Sequence, residues 1–111
     1  MAWKMLDAVS ATGASEPVTL RMIPDEHTVH ATWTGAPTAV TIKLQGSLLN
    51  PEEGEWEDLA EHSATAEEIS NQSAMFHVVD KPVRYVRVDL DTLTGGTSPT
   101  VTTLYEAKEH C

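Results

Sequence analysis

The chain has a single cysteine, Cys111, among its 111 residues. No intramolecular disulfide can form, and a frayed end is a poor place to hold a nucleophile, so Cys111 is expected to be incidental. Basic residues are scarce as well: 7 Lys and Arg stand against 17 Asp and Glu, a net charge of −10 with the histidines neutral. Phosphate backbones and anionic lipid would repel such a chain, so neither nucleic acid nor a membrane surface is an expected partner. No apolar run approaches the ~20 residues of a membrane helix. The opening Met1-Ala2-Trp3-Lys4-Met5-Leu6-Asp7 meets an acid before any apolar stretch develops. It does not read as a signal peptide, and synthesis in a cytoplasm is the expectation. Linkers, low-complexity tracts and internal repeats are missing too, which leaves one domain spanning 1–111, with 1–10 as a candidate terminal contact segment.

What the sequence does carry is a period of two. Val40, Ile42 and Leu44 alternate with Thr41, Lys43 and Gln45, which gives a strand one core face and one wet face. Val29, Ala31 and Trp33 repeat the pattern within 27–34, and Val86, Val88 and Leu90 within 84–91. Val18, Leu20 and Met22 form a fourth run; 74–79 and 100–105 supply two more, and 56–60 a short one. Turn signals separate them: Gly13, Pro24-Asp25, Gly35-Ala36-Pro37, Asn50-Pro51, Gly54, Asp80-Lys81-Pro82, Gly95-Gly96 and Ser98-Pro99. The fold expected is all-β, an antiparallel β-sandwich or jelly roll of about seven or eight short strands. Only Ser63 to Ser70 reads as a helical turn, through a capping sequence.

Candidate chemistry is thin. Glu52, Glu53, Glu55, Glu57 and Asp58 surround Gly54, yet their spacing is not that of an EF-hand, and a solvated acidic loop is the stronger reading over calcium. Asp89 and Asp91 share a strand face with Arg87, a solvated polar face rather than a pair of acid–base carboxylates in a cleft. His27 and His30 are three apart, so a strand sends them to opposite faces and away from a shared ion. His62, His77 and His110 lack partners at ligand spacing, and Gly95-Gly96 leads into no helix that could cradle a phosphate. Catalytic, cofactor-binding and metal residues are all expected to be absent, and the protein is not expected to be an enzyme.

Aromatics make up only 5% of the chain, so each tryptophan carries weight. Trp33 is in phase with the core residues of its strand. Trp56 follows the acidic turn and is expected to cover one end of the sandwich. Trp3, Met5 and Leu6 are too apolar for a free end: either they bind the chain's own sheet edge, or they contact a neighbouring subunit. They are the partner-contact candidates.

Several segments carry a resemblance. Val40 to Leu48, ending in Gly46-Ser47-Leu48, is followed by a turn and then Trp56-Glu57-Asp58-Leu59. With Val79 to Val88, Leu93 to Thr102 and Leu6 to Ala14, this succession resembles small tailed-phage virion proteins. The turn at 50–55 is longer and more acidic than the tight turn usual there. The resemblance implies a β-sandwich on a virion: a capsid decoration (cement) protein, or a tail or head-fibre module. It implies the major capsid protein or other virion subunits as partners, a place on the outer capsid surface, and a homo-oligomer such as a trimer clustered about a symmetry axis. The hairpin and Arg84-Tyr85-Val86-Arg87 are also similar to discoidin-type and other galactose-binding-like sandwiches, although this chain is shorter and lacks their disulfide. That second resemblance implies a carbohydrate-binding module of a tail or head fibre, and a shared sandwich does not dictate a shared ligand.

Overall fold

The computed structural model describes residues 3–20, 25–49 and 55–108. Among these, nine strands and one short helix follow in the order β1 (Trp3–Val9), β2 (Gly13–Ala14), β3 (Val18–Thr19), β4 (Glu26–Thr34), β5 (Ala39–Ser47), β6 (Glu57–Ser63), α1 (Ala66–Asn71), β7 (Ser73–Val79), β8 (Tyr85–Thr94) and β9 (Thr100–Lys108). They build two antiparallel sheets. One has the order β1-β9-β4-β7; the other runs β2-β8-β5-β6, with β3 also paired to β8. The protein is a β-sandwich.

Strict alternation decides which side chains lie between the sheets. From the four-stranded sheet Val29, Ala31 and Trp33 of β4, Val101 and Tyr105 of β9, and Ala74 and Val78 of β7 are buried. Val40, Ile42 and Leu44 of β5 and Val86, Val88 and Leu90 of β8 meet them from the other sheet. Every inward position expected on β4, β5 and β8 is buried. Of the run Val18-Leu20-Met22, Val18 belongs to β3 and Leu20 is core, while Met22 lies outside the described residues.

The strand count exceeds the expected seven or eight because β1 and the two-residue β2 leave no clean period-two signature. In β1 the pairing with β9 slips twice, between Lys4 and Leu6 and between Leu6 and Val9. Each slip adds an unpaired residue, and Ala8 takes a positive φ of 49°. Side chains of β9 repair the broken ladder: Leu6 N–H donates to Thr103 Oγ1 at 3.1 Å, and Ala8 N–H to Thr102 Oγ1 at 3.0 Å. Two threonines thus hold an edge strand that the sequence pattern conceals.

At one end of the sandwich the β4–β5 and β8–β9 loops interlock. Thr97 N–H donates to Gly35 O at 2.8 Å, and a Cβ on Gly35 (φ +82°) would stand 2.6 Å from Pro99 Cα. Only glycine satisfies both the left-handed backbone and that approach. The expected helical turn forms as α1. Thr65 is its N-cap and shares a capping box with Glu68, whose carboxylate also meets His62 Nε2 at 2.9 Å.

Ile42 is 2% exposed at the centre of this packing, so Ile42→Ala should destabilise the fold by about 2–5 kcal/mol through lost burial and a residual cavity. Urea unfolding followed by circular dichroism measures this; a variant as stable as the parent would show that the two sheets do not pack through β5.

Candidate interaction surfaces

The three terminal candidates have separate fates. Leu6 points between the sheets and is 5% exposed, spent on the chain's own core. Met5 sits at the first bulge, half-buried against that core. Trp3 lies opposite Tyr105, with ring centroids 5.7 Å apart and a tilt of 32°, and keeps 36% of its surface exposed. The segment 3–9 is therefore an edge strand of its own sheet, and of the three Trp3 offers the most surface to another molecule.

Behind Trp3 runs a polar knot. The Tyr105 ring stacks on His27 at 5.8 Å, and the two exchange a 2.6 Å hydrogen bond between Tyr105 Oη and His27 Nδ1. The other nitrogen, His27 Nε2, lies 2.8 Å from Lys81 O. A carbonyl can only accept, so Nε2 carries the proton, Nδ1 is the acceptor and the phenol donates to it. Both bonds are satisfied by the neutral imidazole. Burial pushes the His27 pKa below the usual histidine value, outweighing the Lys81 carbonyl and the Asp25 charge, which act the other way. Burial also raises the Tyr105 phenol well above its ordinary pKa. The knot ties the β7–β8 loop to β4 and, through Tyr105, to the terminal strand.

The outer faces of the two sheets differ in kind. On the four-stranded sheet, register aligns Lys4, Leu104, His30 and Met75 in one row across the strands. Leu104 is 38% and Met75 52% exposed, with Val79 further along β7 at 56%. On the same face His77 bonds Thr28 at 2.9 Å and His30 bonds Ser73 at 3.2 Å. His27 and His30 do point to opposite faces, one buried and one outside.

The five-stranded sheet carries charge instead. Lys43 Nζ stands 3.6 Å from Asp58, 3.6 Å from Glu61 and 3.7 Å from Asp91. These carboxylates, Asp58 foremost, hold the ammonium above its ordinary pKa. Asp91 reaches Lys43 because β8 bulges there: Thr92 pairs with Thr41 and Leu90 with Ile42, leaving Asp91 between them. Beside this cluster Arg87 donates to Gln45 at 2.6 Å, Gln45 donates to Asp58 at 2.8 Å, and the Arg87 guanidinium lies 4.5 Å over the Trp56 ring. Trp56 thus packs on an outer sheet face and does not cover an end of the sandwich, because its ring is drawn to the cation on β8.

Of the acidic turn, Glu52 and Glu53 lie outside the described residues, as do His110 and Cys111. Glu55 and Glu57 are exposed, and Asp58 belongs to the Lys43 cluster. Among the described residues no group of three or more His, Cys, Asp or Glu is arranged to hold a metal ion. Sequence reasoning missed the Leu104–Met75 row and the Arg87–Trp56 stack. A signal for the first was present: in 74–79 both alternating sets, Ala74-Phe76-Val78 and Met75-His77-Val79, are mostly apolar, unlike the one-sided β5. The second depends on strand register, which the sequence does not contain.

No family model and no curated protein matches this chain in sequence. Solved structures do match in fold. One is the SPBc2 prophage-derived protein YomS, at 12% identity and a TM-score of 0.53 over 95% of this chain and 90% of that one. A second is CBM32-3 from a family 31 glycoside hydrolase of Clostridium perfringens, at 11% identity and 0.58 over 96% and 75%. A third is the K1 cleaved adhesin domain of Lys-gingipain from Porphyromonas gingivalis W83, at 11% and 0.59 over 99% and 73%. At such identities the likeness establishes the β-sandwich fold.

Burial of a neutral His27 makes stability depend on pH in a definite direction. The unfolded chain takes up a proton on His27 near pH 6.5, before the folded protein does. Stability should therefore fall as pH drops through that value towards the lower folded pKa. Urea unfolding at about pH 7.5 and about pH 5 should show this loss, and His27→Gln should flatten it. An equal slope in both proteins would mean that His27 is not the group being titrated.

Proposed function

We propose that this chain is a non-enzymatic virion structural protein, a capsid decoration protein that strengthens the outer shell by subunit contacts. The observation that carries the reading is the difference between the two sheet faces. One presents Leu104 and Met75 on its outer surface, with Trp3 exposed at the rim on the Tyr105 side, and the other gathers Asp58, Glu61, Asp89, Asp91 and Lys43. A face on which Leu104, Met75 and Val79 stand exposed among threonines, histidines, Glu26 and Glu106 suits burial against a capsid subunit, while the more densely charged face turned outward keeps particles apart. The segments resembling small tailed-phage virion proteins and the fold shared with a prophage-derived protein support the same reading. The work would be cohesion, with aromatic and aliphatic side chains as anchors.

A carbohydrate-binding role on a tail or fibre is the second reading. The Trp56 ring beside Gln45 and Asp58 favours it, as does the fold shared with a carbohydrate-binding module. Arg87 over that ring weighs against it, because a sugar would have to displace the guanidinium before stacking.

Leu104→Asp and Trp3→Ala, each mixed with undecorated capsid shells and sedimented, test the first reading. Each should weaken shell binding by about 2 kcal/mol or more, some thirtyfold, while the dilute protein stays folded. Undiminished co-sedimentation of both variants, or no binding by the parent, would remove the decoration role. Signals on a glycan array that vanish in Trp56→Ala would put the carbohydrate role in its place.

A further inference from the structure

The sandwich has several sheet edges, and they are not equally defended. An open edge is a row of unpaired N–H and C=O groups, and proteins block it with bulges, charges or very short strands. β1 has two bulges and carries Lys4 and Asp7. On its sheet's edge, β6 has a register shift against β5 and bears Glu57, Asp58 and Glu61. The opposite edge consists of β2 and β3, two residues each. β7 has none of these defences. It pairs with β4 without a register shift from Ser73 to Val79, and its seven residues include no Asp, Glu, Lys or Arg. No other described strand lies against its outer side.

The phase of that edge follows from one hydrogen bond. Trp33 N–H donates to Gln72 O at 3.1 Å, and antiparallel pairs exchange bonds at every second residue. Ala74, Phe76 and Val78 therefore bond to Ala31, Val29 and His27 of β4. Ser73, Met75, His77 and Val79 direct their N–H and C=O groups to the open side.

We propose that β7 is a self-association edge, where a second copy of this chain adds its own β7 antiparallel across a two-fold axis at Phe76. Met75 of one copy then lies opposite His77 of the other, and Ser73 opposite Val79, so every outward backbone group of the strand finds a partner. The two four-stranded sheets become one continuous sheet. Self-complementarity selects the occupant: the two-fold register pairs each outward group of β7 with its own copy and sets no Asp, Glu, Lys or Arg of either β7 against the other. The repulsion that remains comes from the net charge of −10, including acidic β6, whose His62 stacks 5.3 Å from Phe76. In this register Asp80, just beyond β7, falls opposite the amide of Gln72, not another carboxylate. Such pairing is isologous and closes at two copies, in contrast to the three-fold clustering that the virion resemblance implies. It stands independently of the proposed function.

Sedimentation velocity of the purified chain from micromolar to millimolar concentration, at low and high salt, tests the pairing. A monomer–dimer equilibrium should appear and strengthen with salt, since the screening length shrinks to about 3 Å near 1 M and removes the net repulsion. His77→Pro deletes an N–H that faces the open edge and leaves the β4 bonds in place, so it should weaken dimerisation roughly tenfold or more without unfolding the monomer. Met75→Lys, which sets a cation beside the two-fold axis, should do the same if the proline variant does not fold. Asp7→Asn on β1, at the far edge of the same sheet, should leave the dimer unchanged. A chain that stays monomeric at every concentration and salt, or a dimer that survives both β7 variants, overturns the proposal. Because shell binding is read with Leu104→Asp and dimerisation with His77→Pro, either can fail while the other stands.

Discussion

The whole molecule depends on the facing of β4 and β9 against β5 and β8. Their inward side chains, Val29, Trp33, Val101 and Tyr105 on one side and Ile42, Leu44, Val88 and Leu90 on the other, leave almost no exposed surface. Because the strand period is two, a slip of one residue in any of these strands would export its apolar set and import its polar one. Once register is held by burial, every outward position is determined as well. Lys43 meets its carboxylates and Leu104 lines up with Met75 for the same reason that Ile42 is buried.

Polar groups inside this core are not all satisfied: among the described residues, Trp33 Nε1 and Asp25 Oδ1 are buried without a hydrogen-bond partner, whereas His27 and Thr103 are fully engaged. His27 is 1% exposed, yet both its ring nitrogens have partners, one from the core and one from a loop backbone. Thr103 is fully buried and uses its hydroxyl to receive the Leu6 N–H of the bulged terminal strand. A buried polar group without such partners costs more than a hydrogen bond returns, so these contacts constrain the position of what they hold. They explain why the apolar start of the chain lies along β9: threonine hydroxyls replace the backbone bonds that the bulges remove.

Asymmetry of surface runs through the rest. The five-stranded sheet turns a connected set of charges outward, joined by Gln45 to a cation resting on Trp56. The four-stranded sheet shows His77–Thr28 and His30–Ser73 contacts beside exposed Leu104 and Met75, and ends in an edge strand without Asp, Glu, Lys or Arg. The two outer faces therefore differ in how densely they are charged, not in fold. The fold alone, shared with prophage, carbohydrate-binding and adhesin domains, imposes no such difference.

Alternation within single strands was legible in the sequence, and with it the all-β class, the sandwich and the inward residues of β4, β5 and β8. The capping pattern before α1 was legible for the same reason: a helix cap, like a strand face, is set by neighbours a few residues apart. The terminal strand was not, because bulges at Met5 and near Ala8 broke its period and its partners lie some hundred positions away in β9. Nor could the sequence pair Trp56 with Arg87, unite Asp58, Glu61 and Asp91 on Lys43, or show that β7 stands at an edge. Those are matters of strand order and register. They are decided by how two sheets bury a common core, a long-range constraint that no local pattern contains.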